Sequence, residues 1–241
     1  MSALLIIKFV LVFCCVANAD TDRSSVVTKC RASDSECMKE SAQAILPKFA
    51  LGLQQFNVET LDPITFDKIV ADNPNLKLTL TNVKATGLKD CRVLRLERDS
   101  ENTKIMTTLI CDVNGVGHYE MKGQVVFVPL EGSGRIDVNL RKILVNVNLN
   151  MTVVEKKGTR YWKIKSWDHN FELKDKSSIH FENLFNGNKE LVNAVEPVIK
   201  NSGNEMFLEV GPPVVKAVVS RIVGDVQKFF QSVPLHDLVL E

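Results

Sequence analysis

The chain has 241 residues, 45% hydrophobic and 24% charged, with 30 basic against 29 acidic side chains and a formal net charge of +1. That composition excludes a disordered or collagen-like chain. The balanced charge leaves no field that would draw the chain onto nucleic acid or an anionic membrane. The length fits one large domain or two small ones.

Met1 to Ala19 carries an early Lys8, an apolar run from Phe9 to Ala17, and Ala17-Asn18-Ala19. These are the charged start, apolar core and small-residue cleavage site of a secretory signal peptide. The competing reading is a membrane anchor, but the run is short against the roughly 20 residues of a span, and no later stretch is long enough. Cleavage after Ala19 is therefore expected, leaving one domain over residues 20–241. It removes Lys8, Cys14 and Cys15, so the mature chain is neutral and keeps Cys30, Cys37, Cys91 and Cys111. An even number of cysteines in a secreted chain reads as disulfides.

Ser33 with Glu36 three residues later fits a capping box, and Met38, Ala42, Ile45, Phe49 and Leu53 follow as one helical stripe. Pro47 predicts a kink in that helix, and Leu61-Asp62-Pro63 marks the loop after it. From Leu76 the period becomes two, with Leu76, Leu78 and Leu80 on one face. A hairpin turning through Asp99 to Thr103, centred on Glu101, sets Cys91 opposite Cys111 and Val93 opposite Leu109. Opposed residues stand close enough to bridge; the alternative is two buried free thiols. Cys30 and Cys37, seven apart, flank the first helix start, where a bridge would fix the local chain.

Tyr119, Met121, Gly123, Val125 and Phe127 form one strand face, and the glycine-rich Pro129 to Gly134 reads as a turn. Ile136, Val138 and Leu140 are apolar at even positions, whereas Ile143, Val145, Val147, Leu149, Met151 and Val153 are apolar at odd ones. That change of phase is what a β-bulge produces. The same slip recurs near Ser166, between Trp162 and Ile164 on one side and Trp167, His169, Phe171 and Leu173 on the other. One wet and one dry face argue for antiparallel hairpins.

Helical period returns with Leu191, Val195 and Val198, and continues through Val215, Val218, Ile222, Val226 and Phe229. Gly211-Pro212-Pro213 must break or kink this rod. A strand over residues 135–153 would span roughly 60 Å at about 3.3 Å per residue, and a rod over 188–231 about 65 Å. The two lengths match. The expected fold class is α+β, a long C-terminal helix wrapped by a long, highly curved antiparallel sheet in one elongated domain.

Chemistry-bearing motifs are scarce. His118, His169, His180 and His236 lie outside any metal-binding spacing, so no metal and no cofactor are expected. Gly132-Ser133-Gly134 lacks the nucleophile elbow, and no phosphate loop or dinucleotide fingerprint is present. The chain reads as a non-enzyme. His169 is the notable polar residue on the inner face, either a hydrogen-bonded core imidazole or a group that orients a ligand oxygen. Asn150-Met151-Thr152 is a glycosylation sequon on a polar strand face.

Several segments together resemble the takeout and juvenile-hormone-binding family of insect secreted proteins. They are the signal peptide followed by Cys30 and Cys37; Leu46-Pro47-Lys48; Leu61-Asp62-Pro63; Thr86-Gly87-Leu88; Pro129-Leu130-Glu131-Gly132-Ser133-Gly134; and Phe181-Glu182-Asn183-Leu184-Phe185-Asn186-Gly187. The match is collinear across the mature chain. The Cys91 and Cys111 pair departs from the commonest takeout pattern, which has only the N-terminal pair. The resemblance implies a long helix in a curved sheet and an internal hydrophobic tunnel for a terpenoid, fatty-acid-like or other apolar ligand. Its walls would be Phe49 and Leu53 from the first helix; Met121, Val125 and Phe127; Val145, Val147 and Leu149; Trp162, Ile164, Trp167, His169 and Phe171; Phe181 and Phe185; and Val218, Ile222 and Phe229.

The expected function is therefore a secreted, extracellular carrier of a small hydrophobic ligand. It would be a monomer without membrane insertion or nucleic-acid partner, and able to meet a cell-surface receptor. The alternative is an extracellular interaction protein that binds a receptor or microbial lipid through an exposed apolar patch, without a closed tunnel.

Overall fold

The structure is a computed structural model that describes residues 26–126 and 128–240; the expected signal peptide and Phe127 lie outside these residues. Helix α1 (Ser35–Leu51) precedes seven strands: β1 (Ile64–Val70), β2 (Leu76–Thr86), β3 (Arg92–Arg98), β4 (Lys104–Val125), β5 (Val128–Lys156), β6 (Thr159–Leu173) and β7 (Ser178–Phe181). Helices α2 (Lys189–Asn201), α3 (Gly203–Val210), α4 (Pro212–Ser232) and α5 (Leu235–Leu238) follow.

All the strands join one antiparallel sheet in the order β1-β2-β4-β5-β6, with β3 also on β4 and β7 also on β5. The core is thus a single long hairpin, β4–β5, and each of its outer edges is shared by two shorter strands. Strands of 22 and 29 residues are far beyond the usual length, and such a sheet must coil or bend.

The bends occur where the phase changes. Asp112 on β4 faces both Arg141 and Lys142, because Cys111 pairs with Ile143 and Val113 with Leu140. Lys142 takes φ 48° and donates its N–H to Asp112 Oδ1 at 2.7 Å. Leu140 and Ile143 thereby both stay buried. The second slip is at Lys165, since Asn150 pairs with Ser166 but Met151 with Ile164. On the outer face a polar ladder stitches β5 to β6: Asn146 donates to Asn170, Asn148 to Asp168, and Asn150 to Ser166 Oγ, at 2.7–2.9 Å.

Three expectations are corrected. The Pro129–Gly134 stretch lies within β5, and the β4–β5 turn falls between Val125 and Val128. Its glycines serve a close approach: a Cβ on Gly134 would stand 2.5 Å from Glu182 O, where the chain after β7 crosses the strand. The residue capping α1 is Asp34, whose carboxylate accepts from Cys37 N at 3.0 Å, so the helix starts one residue later than the Ser33 box requires. The C-terminal rod is broken at Ser202 as well as at Gly211. Gly203 packs on the loop before β7, where a Cβ would come 2.4 Å from Ser177 O, and Asn204 Oδ1 accepts from Ser177 N.

Both disulfides form, Cys30–Cys37 and Cys91–Cys111. The expected β3–β4 register holds at Val93 opposite Leu109, then shifts by one toward the turn at a bulge on Leu94. Arg98, buried, donates to the carbonyls of Cys30 and Leu240, which ties the first and last described segments together beside the Cys30–Val239 bridge.

Candidate functional site

Alternation turns one face of β2, β4 and β5 predominantly apolar. Helix α4 lies across that face because its valines recur at helical spacing, with Val215, Val219 and Val223 buried. Pro212 and Pro213 occupy its first positions, where missing N–H groups carry no penalty. Outside the sheet, Glu59 accepts from Arg221 and Lys228, fastening α4 to the segment before β1. The hydrogen bond from Lys228 and the two positive charges hold the Glu59 carboxyl below its usual range.

Helix α1 closes the side at β3. Gln43 mimics a strand there: its Nε2 donates to Cys91 O and its Oε1 accepts from Val93 N at 2.7 Å. The start of the unpaired β3 edge is thus satisfied at Cys91 and Val93, and α1 is held in place. Its end is positioned by Asp62, whose carboxylate accepts from Gly87 N and Lys89 N. That contact joins two of the motif segments noted in the sequence.

Between these elements lies an internal cavity of about 330 Å³. The sheet supplies its floor, notably Leu78, Leu80, Leu109, Met121 and Ile143; α3 and α4 supply the roof; and Leu46, Phe49 and Ala50 of α1 close one side. The Cys91–Cys111 bridge is part of the wall. No charged side chain lines the cavity, and Thr107 is its one side-chain hydroxyl among the described residues. Its volume lies in the range of small-molecule sites, and its chemistry is that of a hydrocarbon solvent.

Of the residues expected at a ligand site, Phe49, Met121, Val125, Val145, Val147, Leu149, Phe181, Val218 and Ile222 line this cavity. Leu53, Trp162, Ile164, Trp167, His169, Phe171, Phe185 and Phe229 do not. Leu53 lies beyond the end of α1, bridged to Val58, and Phe185 sits in the turn before α2. Trp162, Phe171 and Phe229 are engaged in ring contacts instead. Trp162 packs edge-on against Phe230 at 5.1 Å, Phe171 against Phe207 at 5.9 Å, and Phe229 against Phe49 and Phe56. His169 stacks beside Trp167 at 5.5 Å. The reason is position: β6 is an outer strand covered closely by α4, whereas β2, β4 and β5 run beneath the gap.

Val215, Val219, Val223, Met206 and the disulfide belong to the wall and were not expected there. The α4 stripe read from the sequence is buried at its ends, Val215 and Phe229, but between them the buried line runs through Val219 and Val223, one residue aside from Val218 and Ile222. Among the described residues no group of three or more His, Cys, Asp or Glu side chains could hold a metal, and no helix is long and apolar enough to cross a membrane.

A solved structure shares this architecture, and two curated proteins are similar to the chain in sequence along most of its length. The crystal structure of Epiphyas postvittana takeout 1 superposes with a TM-score of 0.85 at 28% identity, covering 89% of this chain and all of that one. The circadian clock-controlled protein daywake of Drosophila melanogaster is 23% identical over 240 residues, 92% of this chain and 90% of its own. Its Drosophila yakuba counterpart is 21% identical over 230 residues, covering 88% and 86%. The sequence profile of the haemolymph juvenile hormone binding protein (JHBP) family matches residues 9–240. With its extent, its curved antiparallel sheet and its roofing helices all in agreement, this chain belongs to the haemolymph juvenile hormone binding protein family.

Proposed function

We propose that this protein is a secreted carrier that holds one small apolar ligand, terpenoid or fatty-acid-like, in its internal cavity and performs no turnover. The observation that carries the reading is the hydrocarbon-lined cavity of about 330 Å³ under α4. A chain of some 15 carbons gains about 0.8 kcal/mol per buried CH₂, or roughly 12 kcal/mol gross. Set against association costs that start at about 4 kcal/mol, this leaves at most about 8 kcal/mol, a micromolar and so reversible affinity. The two disulfides support an oxidising, extracellular setting, as does the haemolymph origin in the family's description. The wall residues would be the nine expected side chains that reach the cavity, together with the α4 valines.

The alternative interaction protein requires no cavity, so the chamber favours the carrier. Native mass spectrometry of the protein from its natural tissue tests this reading: it should retain an apolar molecule of a few hundred daltons. A chain always free of ligand that also takes up no apolar probe would overturn the proposal. Entry would require movement of a loop or of α1 near Pro47, because Leu46, Phe49 and Ala50 of that helix close one side of the cavity. Hydrogen exchange over residues 34–53 should slow on ligand binding, and unchanged exchange would argue against this route. The sequon at Asn150 lies on the exposed outer face of β5; an N-glycosidase mass shift absent from Asn150→Gln would establish that it is occupied.

A further inference from the structure

Two buried hydrogen-bond donors lie one helical turn beyond the cavity, with no partner among the described residues. Trp162 is 4% exposed on the inner face of β6, and its indole Nε1–H is shielded from solvent and unpaired. Gln227 of α4 accepts from Ile164 N at 2.7 Å through Oε1. That contact fixes the orientation of the amide, so its Nε2 hydrogens are the ones left over, buried and unpaired.

The two donors share one wedge. Ile164, which holds Gln227, stands two residues from Trp162 on the same face of β6. Phe230, which packs on Trp162, is three residues from Gln227 on the same side of α4. Gln227 and Phe230 each follow a cavity-lining residue, Val223 and Val226, by one turn, a rise of about 5.4 Å. Buried donors in folded proteins nearly always find an acceptor, so two orphans in one wedge call for a shared one.

We propose that this wedge is the polar end of the ligand chamber and takes a neutral acceptor oxygen, such as the carbonyl of a ketone or ester, on an apolar chain whose remainder lies in the cavity. The proposal rests on the carrier reading. Both protein groups donate, so an ammonium head has nothing to accept with, and a hydroxyl would accept but leave its own O–H without a partner. A carboxylate is excluded by charge: Lys228 nearby is already paired with Glu59 and Asp225, and a desolvated anion without a counter-charge is unfavourable.

The test uses purified full-length secreted protein with pentadecane, 2-pentadecanone and tetradecanoic acid as probes, each displacing N-phenyl-1-naphthylamine. The ratio of ketone to alkane affinity should fall about fivefold in Trp162→Phe, which keeps a ring but loses the N–H. It should fall similarly in Gln227→Glu, which keeps the acceptor for Ile164 but loses the donor. The acid should bind more weakly than the ketone. Trp162 is one of two tryptophans, so its indole N–H resonance is assignable by its loss in Trp162→Phe. That resonance should move downfield with the ketone and not with the alkane, a readout that needs only the unaltered protein. Alkane and ketone binding with an unchanged ratio in both variants and no selective indole shift would mean that internal water serves these donors; the proposal then fails and the carrier reading stands. Failure of every probe to bind would overturn both.

Discussion

Filling the cavity from its roof gives the sharpest test of whether it is a ligand chamber. A void costs about 24 cal/mol per Å³, so a dry one of about 330 Å³ would cost roughly 8 kcal/mol, comparable with the 5–15 kcal/mol that holds a typical domain together. Any apolar group placed inside should therefore stabilise the ligand-stripped protein. Val219, 5% exposed on α4, lines the cavity. Val219→Phe adds four carbons, worth at most about 3 kcal/mol at about 0.8 kcal/mol per CH₂; side-chain ordering and imperfect fit leave about 1 kcal/mol. For a chain of this size that raises Tm by about 2–4 °C. The control is Val58→Phe, the same change at a site 3% exposed that lies off the cavity wall, where overpacking should cost about 1–3 kcal/mol. Thermal unfolding of the stripped variants, followed by circular dichroism, reads the first effect. Titration with N-phenyl-1-naphthylamine reads the second: Val219→Phe should weaken uptake about tenfold or more, and Val58→Phe should not. If Val219→Phe destabilises as Val58→Phe does and leaves uptake unchanged, the cavity is not the ligand chamber.

Removing the wall bridge with Cys91→Ala and Cys111→Ala together should lower stability by about 3 kcal/mol, from the chain entropy of a loop of this length closed across 20 residues; urea unfolding under non-reducing conditions measures it. Gly134→Ala forces a Cβ to within 2.5 Å of Glu182 O, and unfolding should show a loss of about 2 kcal/mol. Burial pushes the Tyr119 phenol up to about 12, so the folded state holds the proton more tightly than the unfolded chain does. Stability should be at its plateau below pH 10 and fall as pH rises through 12, by at most about 1.4 kcal/mol per pH unit. In Tyr119→Phe that slope should vanish from the alkaline unfolding curve, with about 1 kcal/mol lost at neutral pH for the missing bond to Glu182 O.

The strands and both bulges of β5 and β6 were legible because alternation is a local property, and a lone unpaired residue leaves a visible change of phase. The bulge at Leu94 was hidden: Leu94 is itself apolar yet exposed, so the pattern carries no mark of it. The turn was misplaced because glycine serves two needs, a tight reversal and a close approach, and at Gly134 the need is the approach of Glu182. The break at Ser202 depends on the distant Ser177, which no window along the helix contains. The site was half legible. Inner-face residues on every strand look alike in sequence, but whether each meets a helix or a gap depends on how far α4 stands from that strand. That distance is set by bulky partners such as Phe230 on Trp162, a tertiary fact.

Chain order adds a consequence for biosynthesis. All seven strands precede the helices that roof them, so the greasy concave face is complete before the roughly 60 residues that follow Phe181 have been made. At about 5–20 residues per second that interval lasts some seconds. During it the nascent sheet has an open apolar trough facing the chaperones and lipids of its compartment. On the proposed carrier reading, cargo would be laid in before the roof arrives, and a chain that found none would still close over a space it is costly to leave dry.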